Sequence, residues 1–219
     1  KPNLNAEYPY VTMVVPAYNE EDVLAEKVAN CQSLQYPDDK IRFLLGSDGS
    51  SDGTNQILEA IDDPRFRVRL FSKREGKSAV LNKLVKEVED EIILFSDANS
   101  IYHPDAVEKL LCHFTEPNVG GVCGKLRLIN PGGDPAGQGE GLYWQYENWI
   151  KEAEGRIRSV ISANGSIFTI RRSFYQPLPT DRPVNDDFVL TLEVLKRGAV
   201  VRYEPQAVAE EMTSPCMGG

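Results

Sequence analysis

Val11-Thr12-Met13-Val14-Val15-Pro16-Ala17-Tyr18-Asn19-Glu20-Glu21 decides how the rest of the chain is read. Val11 to Val15 is a short apolar run, rich in β-branched side chains and stopped by Pro16, which is the pattern of a buried strand. Asn19 is placed to cap a helix over residues 20–34. Its acidic first turn suits the positive end of a helix dipole. An apolar strand that ends in a polar corner and turns into a helix is the opening unit of a parallel α/β sheet.

The unit repeats downstream. Residues 41–46 read as a second strand, followed by the dense turn signal Ser47-Asp-Gly-Ser-Ser-Asp-Gly53 and a helix over 54–61. Residues 66–71 form a third strand. Residues 77–88 carry helical apolar spacing at Val80, Leu81, Leu84, Val85 and Val88. A fourth strand over 91–95 ends at Ser96-Asp97. Pro104 can open a helix that 106–114 continue. This alternation predicts an α/β domain with a mostly parallel central sheet and helices on both faces.

The pattern changes near residue 120. A strand over 121–129 precedes a loop over 130–137, then an aromatic-rich helix over 141–157. A strand over 162–171 contains Gly165. A helix over 186–197 is closed by Gly198, and 199–203 form a last strand. No repeat or low-complexity tract interrupts the 219 residues, so they read as one domain, 1–219.

Composition narrows the function. With 41% hydrophobic and 26% charged residues the chain is globular. A net charge of −9 argues against a nucleic-acid surface and against a polybasic membrane face. An acidic protein that binds a phosphorylated ligand must neutralise it locally, with a metal or a well-placed lysine. Cys31, Cys112, Cys123 and Cys216 are scattered without a CxxC, which favours a reduced, cytoplasmic compartment. His103 and His113 have no zinc-ligand spacing. There is no run of 18 apolar residues. The first residue is not Met and the last residues are loop-like, so a piece of a longer protein is expected.

Ligands of open parallel sheets sit beyond the carboxyl ends of the strands. Three polar clusters fall there: Pro16 to Glu21, Ser47 to Thr54, and Ser96 to Ser100. Together with Gly76-Lys-Ser-Ala-Val-Leu-Asn82 and Asn185-Asp-Asp187, this ordered series resembles the inverting family 2 glycosyltransferases over nearly the whole chain. The resemblance is to the catalytic domain of membrane-associated polysaccharide synthases. It implies the GT-A (nucleotide-diphospho-sugar transferase) fold. Residues of about 10–115 would form the nucleotide-sugar-binding half, and about 116–211 the acceptor-binding half.

What the resemblance implies can be set beside each residue's chemistry. Pro16, Ala17, Tyr18 and Glu20 would line the donor site, with the Tyr18 ring against a nucleobase. Asp48 matches the residue that accepts a uracil N–H, which implies a UDP-sugar donor. As a turn former it would need no ligand. Asp52 reads as a helix cap. A lysine at a helix start, as Lys77 is, opposes the dipole, and a bound diphosphate would offset that. Asp97-Ala98-Asn99 stands where the family has Asp-x-Asp, so Asp97 and Asn99 are the candidate ligands of Mg²⁺ or Mn²⁺. Asn99 removes one charge from that pattern. By match Asp187 is the general base that takes the acceptor's proton, with Asp186 beside it on the acceptor side. Either could instead cap the helix. Trp144 is the candidate acceptor-facing aromatic, although aromatics at helical spacing more often belong to a core. Asn164 and Gly165 match the strand that lines the acceptor pocket, a growing glycan or another hydroxyl.

The Gln-x-x-Arg-Trp motif of processive members is missing before Gly219. Glu210-Glu211-Met-Thr213 resembles the segment preceding it. A membrane anchor outside these residues, at the cytoplasmic face, is therefore expected. A sugar-nucleotide-forming nucleotidyltransferase would carry a basic, Gly-rich loop where Asn19-Glu-Glu-Asp22 stands. A non-catalytic binding module of the same fold is the other alternative.

Overall fold

Along the first strand, β1 (Val11–Ala17), side chains are buried on alternate faces: Val11, Met13 and Val15 enter one core cluster and Val14 the other. Two-sided burial is what a central parallel strand requires. The computed structural model describes residues 8–129, 159–161, 163–182 and 184–212. Among them, β1 pairs in parallel with β2 (Ile41–Asp48) on one side and β4 (Ile92–Phe95) on the other. Val11 aligns with both Ile41 and Ile92. With β3 (Phe66–Phe71), β5 (Ser100–Tyr102), β6 (Val119–Ile129), β7 (Phe168–Arg171) and β8 (Val200–Met212), they make one eight-stranded sheet of order β3-β2-β1-β4-β7-β6-β8-β5. Only β7 and β5 run against the others. The sheet is mostly parallel, as the alternation predicted.

Helices cover both faces. Buried side chains of α1 (Leu24–Gln32), α2 (Thr54–Glu59) and α4 (Ala106–Leu111) join the cluster that holds Val11 and Met13. Those of α3 (Lys77–Val85) and α5 (Asp186–Lys196) join the cluster around Val14 and Phe95. Gly46 in β2 lets α3 approach closely, since a Cβ there would lie 2.8 Å from Leu84.

Several expected boundaries move. The first helix begins at Leu24, and Asn19 does not cap it. Asn19 takes a left-handed φ of 54° and its Oδ1 accepts the Ser51 N–H at 2.9 Å. Asn tolerates that conformation, and the tie across to the next loop outcompetes the cap. The expected strand over 162–171 is a strand only from Phe168. Gly165–Ile167 is a 3₁₀ turn capped by Asn164, whose Oδ1 accepts the Ser166 N–H. The last strand runs to Met212 rather than 203. Pro205 lies where β8 bulges against β6, between the Gly124–Glu204 and Lys125–Val208 pairs, so the strand reads as broken in sequence. The loop over 130–137, the helix over 141–157 and Trp144 lie outside the described residues. No described helix is long and apolar enough to cross a membrane.

Candidate active site

The corners after β1 and β2 interlock before they make a site. The Glu20 N–H donates to Thr54 Oγ1 at 2.8 Å and the Glu21 N–H to Asp52 Oδ2 at 3.2 Å. The Gly53 N–H donates to Glu21 Oε2 at 2.5 Å. Asp52 also accepts the Thr54 N–H at 3.0 Å, but the cap position of α2 is Gly53, so Asp52 closes the turn before the helix rather than capping it as expected. These bonds satisfy amides of the β1 corner and of the start of α2 that would otherwise be orphaned.

Asp48, 4% exposed, reaches under the next loop. Its Oδ1 accepts the Glu75 N–H at 2.7 Å and its Oδ2 the Gly76 N–H at 2.8 Å. Gly49 has a left-handed φ of 67°, and a Cβ there would lie 2.6 Å from the Arg74 nitrogen. Only glycine lets the two loops meet so closely. The clamp sets Gly76, at φ 92°, and so the start of α3 at Lys77.

A cleft of about 380 Å³ opens at the carboxyl ends of β1, β2 and β4. Pro16, Ala17, Tyr18, Glu20, Asp48, Lys77, Asp97 and Asn99 all line it, together with Arg74, Gly76 and Ala98. All eight are residues the sequence reading selected. Arg74 is not; its guanidinium lies 3.9 Å over the Tyr18 ring. Its one signal was its place in a basic pair just before Gly76. A larger depression, about 640 Å³, lies by the start of β2 and β3, but its Arg65 is ion-paired with Asp38 and Asp63 of the same surface.

Lys77 joins distant parts of the chain. Its Nζ lies 2.7 Å from Asp97 Oδ1 and 3.4 Å from Asp186 Oδ2. Burial pulls the lysine pKa down, but Asp97 and Asp186 outweigh it and hold the ammonium above its ordinary value. Asp97 Oδ2 accepts from Ser166 Oγ at 2.8 Å. Burial alone would raise the Asp97 pKa; Lys77, Ser166 and Lys27 instead bring it below the usual carboxylate range. The bond from Ser166 to Asp97 was not foreseen, since Ser166 was read only with Asn164 and Gly165 as part of the strand lining the acceptor pocket.

Asp187 stands across Gly165, whose N–H donates to its Oδ2 at 3.0 Å. Burial raises this carboxyl, the Gly165 bond lowers it, and the neighbouring Asp186 charge raises it again, leaving it above the ordinary value. Burial, with Asp97 and Asp52, also raises Glu20. So the Asp97 and Asp187 carboxyls are shifted in opposite directions. Asp97 is held ionised by cations, and Asp187 is biased toward holding a proton. Asn164 faces inward only to its own turn and to Cys123, whose Sγ accepts the Asn164 N–H.

For a divalent cation the protein offers Asp97 and the exposed Asn99, both hard oxygen donors. No group of three or more His, Cys, Asp and Glu side chains able to hold a metal occurs among the described residues. That donor set fits an ion carried largely by phosphate and water oxygens, the usual habit of Mg²⁺ with nucleotides.

Sheet order and cleft together define a GT-A domain. Among solved structures, the mannosyltransferase PcManGT of Pyrobaculum calidifontis, in complex with GDP-Man and Mn²⁺, superposes with a TM-score of 0.80. Its identity is 24%, over 97% of this chain and 59% of that one. Staphylococcus aureus TarS in complex with UDP-GlcNAc gives 0.71 at 15% identity, over 94% and 59%.

The chain belongs to the family described as Glycosyl transferase family 2, which it matches over residues 12–178. It is therefore a glycosyltransferase domain. It is 30% identical to an N-acetylglucosaminyltransferase of Azorhizobium caulinodans, over 93% of this chain and 55% of the relative. It is 27% identical to a probable glycosyltransferase, YdaM, of Bacillus subtilis (94% and 51%). It is 24% identical to a poly-beta-1,6-N-acetyl-D-glucosamine synthase of Staphylococcus aureus (100% and 54%). The chain spans about half the length of these curated relatives.

Proposed function

We propose that this domain transfers a sugar, with N-acetylglucosamine the first candidate, from a UDP donor to a hydroxyl of a growing glycan, with inversion. The observation that carries the reading is Lys77, which lines the cleft and ties Asp97 there to Asp186, the neighbour of Asp187. The names of the N-acetylglucosaminyltransferase and poly-N-acetylglucosamine synthase relatives support the sugar and the polymer. Asp48 supports uracil. Each of its oxygens already accepts one amide and keeps a second lone pair for a ring N–H.

Asp187 takes the proton of the acceptor hydroxyl as its oxygen bonds the anomeric carbon. The bond from that carbon to the diphosphate oxygen breaks, and its electron pair leaves with UDP. Lys77 sits where that negative charge develops. Tyr18 and Arg74 hold the nucleotide end; Asp186, Asn164, Gly165 and Trp144 border the acceptor. Asp97 and Asn99 would hold Mg²⁺ or Mn²⁺, which when bound neutralises the diphosphate as a Lewis acid. In the full-length protein the domain sits at the cytoplasmic face of a membrane, anchored by sequence outside these residues. The reading frame beyond Gly219 tests that part.

The enzymatic test is UDP release from UDP-N-acetylglucosamine and a panel of other UDP-sugars, with Mn²⁺ or Mg²⁺ and chitooligosaccharide or other glycan acceptors. Acceptor-dependent release is expected. UDP binding without release from any donor would turn the reading toward a non-catalytic binding module.

A further inference from the structure

Under the floor of the cleft, α1 carries a lysine that solvent does not reach. Lys27 is 0% exposed. Its ammonium donates to Ser96 Oγ at 2.7 Å and to the Ser100 carbonyl at 2.5 Å, and lies 4.6 Å from the centroid of the Tyr102 ring. None of these partners is an anion. Withdrawing an ammonium from water without a paired carboxylate is costly, and packing alone is better served by an apolar side chain.

The two acceptors bracket Asp97-Ala98-Asn99. Ser96 precedes that segment and Ser100 follows it, so one buried cation pins both of its ends. A parallel path runs beside it: the Tyr102 hydroxyl donates to the Ser166 carbonyl at 2.9 Å, and Ser166 Oγ donates to Asp97. Ser100 Oγ is bonded to Glu211 near the end of β8, which holds the far side. Burial pulls the Lys27 pKa down, while Cys31, Asp97 and Glu211 push it part of the way back.

We infer that Lys27 is a positioning residue for the donor site: from below, it fixes the segment that presents Asp97 and Asn99. This rests on the donor-site reading above and adds a residue to it. Lys27 acts through Ser96 and Ser100 and touches no ligand, so it is not catalytic. Partners of ligating groups typically change metal affinity by about 10–100-fold when removed.

Lys27→Met separates this role from mere core filling, because Met keeps the length and drops the charge. The natural full-length protein, Lys27→Met and Ser96→Ala are each melted, then titrated with UDP at increasing Mn²⁺. The Met variant should melt no lower than the parent. It should nonetheless need about tenfold more Mn²⁺ for half-maximal UDP binding, with metal-free UDP binding unchanged. Ser96→Ala should shift the same way by less. An unchanged Mn²⁺ requirement in folded Lys27→Met overturns the inference; should that variant fail to fold, an unchanged requirement in Ser96→Ala does so. A parent whose UDP binding ignores Mn²⁺ overturns the donor-site reading, and this inference with it.

Discussion

Asp187 Oδ2 accepts the backbone N–H of Gly165 at 3.0 Å, and Asp187 Oδ1 accepts the Phe188 N–H at 2.6 Å. Both oxygens are therefore oriented before any acceptor arrives, and each keeps a lone pair for a proton. A base held by amides loses little freedom when it reacts.

Asp187→Asn keeps the shape and removes the basicity. Transfer should fall by at least about 100-fold, the usual contribution of a general base. UDP affinity should stay near the parent value. Steady-state rates with a UDP titration check both; unchanged transfer removes Asp187 from the mechanism.

The same substitution has a predicted effect on stability. The Asp187 carboxyl is raised in the fold, so above the ordinary Asp range the folded state holds its proton more tightly than the unfolded chain. Stability from this group is thus lost as pH rises through that window. At pH 7 the Asn variant should melt at or above the parent temperature, and the gap should shrink in acid. Melting curves from pH 3 to 8 decide it. The activity of the parent should likewise fall in acid as Asp187 takes up a proton, beginning at a higher pH than for an unshifted Asp.

Legibility in sequence followed the length and isolation of each signal. β1 to β4 were readable because apolar runs met polar corners at regular spacing, and Gly198 closed the last helix with a left-handed φ of 78°. β5 was not, since three residues cannot show alternation. β8 was halved by Pro205, whose effect the bulge absorbs. In the site, Lys77 stood out because a cation at a helix start needs a reason, whereas Asp48 and Asp97 were marked by their match to the family's motifs. Ser166 and Lys27 did not stand out. A serine beside glycine and a lysine on an amphipathic helix look ordinary until the sheet brings them to Asp97.

Lys77→Met should expose the coupling between the acidic residues. Without the ammonium, Asp97 keeps only Ser166 and the more distant Lys27, and Asp186 loses its cation. Asp97 is lowered and Lys77 raised in the fold, so their pairing stabilises between the ordinary Asp and Lys ranges and is lost beyond either. The variant should melt lower than the parent at pH 7, with the gap closing in strong acid. Donor KM should rise at least about tenfold, as for a lost charge-assisted contact. An unchanged KM would place the diphosphate elsewhere.

Asp48→Asn tests the clamp under the 73–76 loop. A carboxamide has one acceptor oxygen, so one of the Glu75 and Gly76 amides would meet an NH₂ group. The expected loss is about 1–3 kcal/mol, the cost of leaving a buried polar group unsatisfied. Chemical denaturation measures it. UDP binding should weaken as well, since the loop carries both Arg74 and the start of α3. Full stability with weakened UDP binding would confine Asp48 to the ligand.

Arg74 and Tyr18 are predicted to divide the nucleotide between them. Arg74 covers one face of the Tyr18 ring at 3.9 Å, and both residues line the cleft; in the proposed reading the base stacks on the other face. Tyr18→Ala should therefore weaken uridine and UDP alike. Arg74→Ala should weaken UDP by about tenfold or more, as for a charged hydrogen bond, and uridine less. Because Arg74 is exposed, its loss should move stability by no more than about 0.5 kcal/mol. Calorimetric titration of both ligands against both variants separates the roles. Equal losses of uridine and UDP in Arg74→Ala would assign the guanidinium to the base rather than the diphosphate.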